Sequence, residues 1–278
     1  MSINSKQNQA IGIFDSGIGG LTVMQELMKR LPHEPLIYFG DTARLPYGEK
    51  SPEAIIRYSI ENAIFLMEQN IKLLVIACNT ASAFALEKLQ KIFSIPILGV
   101  IEPGAENAVQ STRNQHIAVL GTKGTIKSGV YQREIEKKMP KARVVSIACP
   151  LFVPLVEERF FHHPAARLIV KEYLAPLHEQ KVDTVLLGCT HYPLLKQLIM
   201  EELPSSLVIV DSASTCAEKV ADILKLHHLA NATDQKPYHR YFVSDDPKKF
   251  QSLGTDFLGS PIDHVEHLSS GFFSGKHP

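Results

Sequence analysis

The chain has 278 residues, 45% of them hydrophobic, and its 29 basic and 29 acidic side chains cancel to give an isoelectric point near 7.2. This length predicts about two globular domains, and the balanced charge argues against a nucleic-acid-binding surface. No apolar run approaches the roughly 18 residues of a membrane span, so we expect a cytoplasmic protein with neither signal peptide nor membrane anchor.

The first hundred residues alternate short apolar runs with segments of helical periodicity. The runs predict strands at 11–14, 36–39, 73–77 and 95–100, and the periodic segments predict helices at 21–31, 52–67 and 85–92. Ser51 and Pro52 form a typical helix start, whereas the Glu-Pro-Gly segment at 102–104 predicts a break. Strands that alternate with helices indicate a parallel sheet with right-handed crossovers.

The pattern restarts at residue 116. It predicts strands at 116–120, 143–147, 182–187 and 207–210, and helices at 166–177, 194–199 and 213–224. The separation of Asp15 from Cys78 nearly equals that of Gly121 from Cys189, which indicates an internal repeat. Strand-like segments at 241–243 and 262–265 are too short for a third domain, and we expect them to pack on the first half.

The predicted fold class is therefore α/β, with two similar domains built on mostly parallel sheets and related by a pseudo-twofold axis. The first domain is discontinuous, 1–101 plus 211–278, and the second covers 102–210. In open α/β sheets ligands bind at the carboxyl ends of the strands. We accordingly expect the active site in the cleft between the two domains.

Two of the predicted strands end on a cysteine that is followed by hydrogen-bonding side chains. Cys78 lies in LLVIACNTAS at 73–82, and Cys189 lies in VDTVLLGCTHYP at 182–193. If the two thiols face each other across the cleft, one can remove a proton from a carbon while the other delivers a proton to the opposite face. This arrangement predicts a two-base racemase. Cys149 and Cys216 lack such a context, and we expect them to be buried structural residues.

A thiolate is required for this chemistry, and a free cysteine has a pKa of about 8.5. Because each cysteine precedes a predicted helix, we expect the helix N-terminus to lower the pKa of the thiol towards neutrality. Carboxylates of the substrate would need hydrogen-bond donors. The neutral donors near the two cysteines are Ser16, Asn79, Thr80, Thr122, Thr125 and Thr190.

Several further segments strengthen this interpretation. They are GIFDSGIGGLTV (12–23), YFGDTARLPYG (38–48), LVIACNTASA (74–83), GVIEPGA (99–105), VLGTKGTIKSG (119–129), ACPLFVPLVE (148–157) and LLGCTHYPLL (186–195). On these segments, which span most of the chain, the sequence resembles the glutamate racemases of the aspartate/glutamate racemase superfamily.

The resemblance implies interconversion of L-glutamate and D-glutamate without a cofactor or a metal, in the service of peptidoglycan synthesis and cell-wall biogenesis. It implies that Cys78 deprotonates the D-enantiomer and Cys189 the L-enantiomer. The implied catalytic residues are Cys78, Cys189, Asp15, His191 and Glu157. With the donors above, the predicted substrate-binding residues are Asp15, Ser16, Tyr47, Gly48, Asn79, Thr80, Thr122, Thr125, Thr190 and His191. A homodimer is possible, and glutamate is the expected small-molecule partner.

Three alternatives stay open at this point. A sister enzyme that acts on aspartate or another carboxylate differs by as little as one methylene in its substrate. A non-catalytic two-domain amino-acid-binding protein would use the same cleft but needs no paired thiols. A pyridoxal-dependent racemase needs a Schiff-base lysine in the site, and no lysine accompanies either cysteine segment.

Overall fold

Two all-parallel β-sheets organise the molecule. The computed structural model of the chain describes residues 6–233 and 236–268. The first sheet has the strand order β10-β9-β2-β1-β3-β4 and the second the order β6-β5-β7-β8. The strands are β1 (Ile11–Asp15), β2 (Leu36–Gly40), β3 (Leu73–Ile76), β4 (Ile97–Gly99), β5 (His116–Gly121), β6 (Arg143–Ala148), β7 (Thr184–Gly188), β8 (Val208–Asp211), β9 (His239–Val243) and β10 (Glu266–His267). The predicted fold class is confirmed.

Helices connect the strands. They are α1 (Leu21–Arg30), α2 (Pro52–Glu68), α3 (Asn79–Ile92), α4 (Ile101–Ser111), α5 (Lys123–Ser128), α6 (Val130–Lys138), α7 (Phe152–Glu157), α8 (Pro164–Leu174), α9 (Lys196–Glu202), α10 (Ala213–Leu226) and α11 (Pro247–Leu258). Short 3₁₀ helices lie at Thr42–Arg44, Tyr47–Glu49, Phe160–His162, Ala175–Glu179 and Tyr192–Leu195. Within the ranges described, no helix combines the length and apolarity that a bilayer crossing needs.

The central strands are buried along their whole length. Every residue of β1, β2, β3 and β7 is buried, as expected for parallel strands with helices on both faces. Their continuous apolar runs made them visible in the sequence. The predicted start of α2 is also observed, because Ser51 caps it by accepting a hydrogen bond from the Ala54 N–H at 3.3 Å and Pro52 occupies its first turn.

The two sheets repeat one topology. In each, the first strand of the repeat lies between the second and the third, and the fourth lies beyond the third. In the second sheet, Gly121 at the end of β5 pairs with Gly188 at the end of β7. In the first sheet, Phe14 pairs with Ile76, and the next residue, Ala77, donates its N–H to the Phe14 carbonyl, so Ala77 lies beside Asp15. Cys189 directly follows Gly188, and Cys78 directly follows Ala77. The two cysteines therefore occupy equivalent positions at the carboxyl ends of equivalent strands.

Two local predictions are wrong. The segment 102–104 does not break the chain, because α4 runs through it with Pro103 in its first turn, where a missing N–H costs no helical hydrogen bond. The segment 262–265 is not a strand; the pairing with β9 comes one residue later, at Glu266–His267.

Helix boundaries account for the remaining differences. The helix predicted at 166–177 ends at Leu174 and continues as a 3₁₀ turn. The helix predicted at 194–199 begins as the 3₁₀ segment Tyr192–Leu195, with Pro193 in its first turn, and becomes α-helical only at Lys196. Cys189 thus does not directly precede an α-helix. Helix α11 was not predicted.

The strands divide between the sheets in a way that supports the predicted domain boundaries. The first sheet takes its strands from 11–99 and 239–267 and the second from 116–211, while α10 packs against both α1 and α4 at the seam. We propose the division 1–101 plus 211–278 and 102–210 on this ground. Of these ranges, residues 1–5, 234–235 and 269–278 lie outside the described part of the chain.

Candidate active site

One cavity lies between the two halves of the molecule, and both cysteines face it. Its walls come from the loops after β1, β2, β3, β5 and β7 and from α7. The lining residues are Ser16, Gly17, Leu45, Pro46, Tyr47, Gly48, Cys78, Asn79, Thr80, Thr122, Val153, Glu157, Cys189, Thr190 and His191. The predicted meeting of Cys78 and Cys189 in one cleft is therefore the geometry that the structure shows.

Cys78 is the N-cap residue of α3. The Ala81 N–H donates a hydrogen bond to its Sγ at 3.4 Å, and the thiol lies 3.6 Å from the Ser16 hydroxyl. The helix N-terminus predicted to support this sulfur is thus present. Burial, together with the nearby charges of Asp15 and Cys189, nevertheless raises the pKa of Cys78 to about 12. The expected lowering of this pKa is wrong, because the loss of water outweighs one backbone donor.

Asp15 ends β1 directly behind the cavity wall and is fully buried. Its carboxylate accepts a hydrogen bond from the Gly17 N–H at 3.0 Å and one from the Thr190 hydroxyl at 3.4 Å. Burial raises the pKa of Asp15, although the charge of His191 and these donors oppose the effect. The Thr190 bond also links the first half of the molecule to the second.

Cys189 has a different partner, an imidazole that is itself held by a carboxylate. His191 Nδ1 lies 4.0 Å from Cys189 Sγ, and His191 Nε2 lies 3.1 Å from Glu157 Oε1. Burial disfavours a charged imidazole, but the contacts with Cys189 and Glu157 outweigh it and raise the pKa of His191 to about 10. The Glu157 pKa is lowered, since the bond from His191 overcomes its burial. At neutral pH this side of the cavity therefore holds an imidazolium and a carboxylate.

Neutral hydrogen-bonding groups surround the rest of the cavity. The hydroxyls of Thr80, Thr122 and Thr125 form a triangle with sides of 3.0, 3.0 and 3.1 Å, which joins α3 to the loop after β5. The Asn79 side-chain oxygen accepts a hydrogen bond from the Tyr131 hydroxyl at 2.5 Å. Such preorganised neutral donors suit the binding of a carboxylate and the stabilisation of charge that develops beside it.

The tyrosine of the cavity wall is fixed by a buried polar network. The Tyr47 hydroxyl hydrogen-bonds the Asp41 carboxylate and accepts from Asn62 Nδ2 at 3.0 Å. Asp41 also accepts from Arg44 Nε at 2.7 Å and from the Ser244 hydroxyl at 3.0 Å. This network ties the Leu45–Gly48 loop to Ser244, directly after β9, so it stabilises the shape of this wall.

Glycines allow the two halves to approach each other. A Cβ at Gly19 would lie 2.5 Å from His191 Nδ1 and closer still to the Thr190 hydroxyl, and a Cβ at Gly48 would lie 2.6 Å from Thr122 Cβ. Contacts this short are not observed for real side chains. The glycine loop after β1 therefore makes room for the His191 turn of the other half.

Comparisons with known proteins agree with this geometry. A family model described as Asp/Glu/Hydantoin racemase matches residues 16–220. A glutamate racemase from Geobacter metallireducens is 53% identical over 261 residues, which cover 94% of this chain and 97% of that protein. The chain belongs to the Asp/Glu/hydantoin racemase family. This membership confirms the predicted class of enzyme, an isomerase.

Solved structures lead to the same family. The crystal structure of glutamate racemase from Francisella tularensis in complex with D-glutamate has a TM-score of 0.89 and 39% identity, with 95% of this chain and 98% of that chain covered. A glutamate racemase isoform from Bacillus anthracis has a TM-score of 0.90 and 38% identity, with 94% and 98% covered. The two-domain α/β architecture of these racemases is thus the architecture of this chain.

Not all predicted site residues of this racemase face the cavity. Asp15 and Thr125 do not belong to its lining; they lie one layer behind and hydrogen-bond to residues that do. The other predicted residues line the cavity directly. They are Ser16, Tyr47, Gly48, Cys78, Asn79, Thr80, Thr122, Glu157, Cys189, Thr190 and His191. Cys149 and Cys216 are buried free thiols outside the lining, as their lack of context predicted.

Sequence reasoning missed part of the site. Gly17, Leu45, Pro46 and Val153 also line the cavity. The ring of Phe257, on α11, packs edge-on against His191 with ring centroids 5.3 Å apart. The helical spacing of Phe250, Leu253 and Phe257 could have revealed α11, but nothing in the sequence places it beside residue 191.

Proposed function

We propose that this chain interconverts L-glutamate and D-glutamate without a cofactor, by a two-base proton transfer between Cys78 and Cys189. The observation that carries the proposal is the equivalence of the two sulfurs. Each follows the third strand of its own repeat, and both line one cavity from opposite halves of the molecule. A substrate α-carbon between them would have one sulfur on each face.

The electrostatics of the two sides support a direction for the first step. In the L-to-D direction, Cys189 as thiolate takes the α-proton, breaking the C–H bond, while the Cys78 thiol gives its proton to the opposite face. The imidazolium of His191 lies beside Cys189 as a counterion for the proposed thiolate, and Glu157 keeps the imidazole protonated. Burial and Asp15 keep Cys78 protonated, as a proton donor must be.

After this step the charges of the two sulfurs have exchanged. Cys189 carries the proton from the substrate and Cys78 is the thiolate, which is the state that deprotonates D-glutamate. The reverse turnover or proton exchange with water restores the first state. Asp15 and His191 thus assist opposite thiols, and Glu157 acts through His191.

The relatives support glutamate as the substrate. The Geobacter protein is named glutamate racemase, and the Francisella enzyme was solved with D-glutamate. We propose glutamate as the substrate of this chain, with Ser16, Asn79, Thr80, Thr122 and Thr190 as donors to its carboxylates. A supply of D-glutamate for peptidoglycan follows as the proposed role, and loss of the gene should then create a requirement for D-glutamate.

The experiment is a racemisation assay with purified protein and no added cofactor. Circular dichroism is followed from L-glutamate, from D-glutamate and from L-aspartate as the competing substrate. The proposal expects both glutamate signals to decay to zero and the aspartate signal to persist. Decay of the aspartate signal alone would assign a different substrate, and three constant signals would indicate a binding protein.

A further inference from the structure

Tyr131 makes a contact that the reaction scheme does not yet use. It lies on α6 in the second half of the molecule, is 2% exposed, and donates its hydroxyl to Asn79 Oδ1 at 2.5 Å. Asn79 belongs to the first half, directly after Cys78, and lines the cavity. The bond therefore crosses from one half of the molecule to the wall of the substrate site in the other.

The surroundings of Tyr131 fix both its position and the direction of this bond. A Cβ at Gly188 would lie 2.9 Å from Tyr131 Cε2, and a Cβ at Gly104 would lie 3.0 Å from its hydroxyl, so both glycines leave room for the ring. Burial raises the pKa of the Tyr131 phenol, so the hydroxyl keeps its proton. A protonated phenol donates to the amide oxygen of Asn79, which can only accept.

A side-chain amide has two different ends, and this contact selects which end meets the substrate. Oδ1 of Asn79 is occupied by Tyr131, and within residues 6–233 and 236–268 no group accepts a hydrogen bond from Nδ2. An amide turned the other way would present an acceptor oxygen to a substrate carboxylate, which repels it. The bond to Tyr131 excludes that orientation.

We propose that Tyr131 is a positioning residue, which holds the Asn79 amide with its Nδ2 donor turned into the cavity to bind a substrate carboxylate. The inference rests on the proposed function, since it concerns recognition of the same substrate. In this proposal Tyr131, in the second half of the molecule, orients the Asn79 donor, which lies beside Cys78 in the first half. Tyr131 itself does not touch the substrate.

The test is the steady-state kinetics of Tyr131→Phe, which keeps the ring and removes only the hydroxyl. Loss of one buried hydrogen bond that orients the donor should raise KM about tenfold for both enantiomers and change kcat much less. Tyr173→Phe is the matched control, because the Tyr173 hydroxyl contacts the Leu151 N–H outside the cavity. This control should keep the KM of the unmodified protein.

A double-mutant cycle separates positioning from a general structural effect. In an Asn79→Ala background, Tyr131→Phe should raise KM no further, because no amide is left to orient. An unchanged KM in Tyr131→Phe would overturn the proposal. An equally large rise of KM when Tyr131→Phe is added to Asn79→Ala would also overturn it. Absence of racemisation in the unmodified protein would instead reject the proposed function.

Discussion

Cys78 and Cys189 occupy equivalent places in the two repeats, but their surroundings differ. Cys78 caps a helix and lies near the buried carboxyl group of Asp15, whereas Cys189 lies beside an imidazole that Glu157 keeps charged. The backbone repeat thus brings two identical groups to one cavity, and in the proposed scheme the side chains around them make one a proton donor and the other a proton acceptor.

The largest expected effect comes from removing either sulfur. Cys78→Ser and Cys189→Ser should each lower racemisation about a thousandfold, since a serine hydroxyl is a far weaker base. In deuterated water, Cys189→Ser should exchange the α-proton only of D-glutamate and Cys78→Ser only that of L-glutamate. Proton NMR of each enantiomer measures this exchange.

Cys216→Ser is the matched control, because this buried free thiol lies on α10 outside the cavity lining. Its racemisation rate should stay near that of the unmodified protein. An undiminished racemisation rate in Cys78→Ser or Cys189→Ser would show that the replaced sulfur does not transfer the α-proton.

Removing the groups that assist the two thiols should have the next largest effect. His191→Gln and Asp15→Asn should each lower kcat/KM by about a hundredfold, which is within the range for groups that support proton transfer. The equilibrium constant of a racemisation is unity, so kcat/KM must fall equally in both directions. The asymmetry should appear in the α-deuterium isotope effects, with His191→Gln raising the effect mainly on L-glutamate and Asp15→Asn mainly on D-glutamate. Equal isotope effects in both variants would mean that the two sides are not specialised.

The glycine loop offers a structural test of the approach between the halves. Gly19→Ala should destabilise the protein by about 1–3 kcal/mol, because the new methyl group would overlap Thr190 and His191. Gly17→Ala is its matched control, since the nearest group there, Leu45 Cδ2, lies 3.4 Å away in ordinary contact. Urea unfolding measures both. Equal unfolding midpoints for the two variants would show that the close approach at Gly19 is not required.

Much of this comparison could be predicted from the sequence, for reasons that are local. The apolar runs before Cys78 and Cys189 identified buried parallel strands, and the end of such a strand fixes which edge of the sheet a residue reaches. Pro103 was misinterpreted because its effect depends on its position within a helix, which composition alone does not give. The 262–265 segment resembled a strand in sequence, but the pairing with β9 begins only after it, at Glu266.

Other features depend on tertiary contacts that no local pattern contains. The high pKa of Cys78 results from complete burial beside Asp15, whereas the sequence showed only the helix that follows it. The packing of Phe257 on His191 and the bond from Tyr131 to Asn79 join residues far apart in the chain. The two layers of the site, with Asp15 and Thr125 behind the lining, likewise appear only in three dimensions.

The smallest expected effect is a shift in pH dependence. Because the pKa of His191 is raised from 6.5 to about 10, its imidazolium should persist through neutral pH, and kcat/KM should fall as the pH rises through about 10. The protonated His191 contributes its full share to the free energy of unfolding below pH 6.5, and this contribution is lost as the pH rises through about 10. Glu157→Gln removes one cause of the raised pKa, so the alkaline limb should move to lower pH. An alkaline limb at the same pH in Glu157→Gln would show that Glu157 does not raise the pKa of His191.

The most direct test of the two-base scheme is the early distribution of deuterium during turnover of L-glutamate in deuterated water. Mass spectrometry of the separated enantiomers in the first few per cent of reaction should find deuterium in nearly all D-glutamate and almost none in the remaining L-glutamate, because removal and delivery use different sulfurs. Equal deuterium in substrate and product would show that one group serves both faces, and would contradict the assignment of Cys78 and Cys189 to opposite sides of the same carbon.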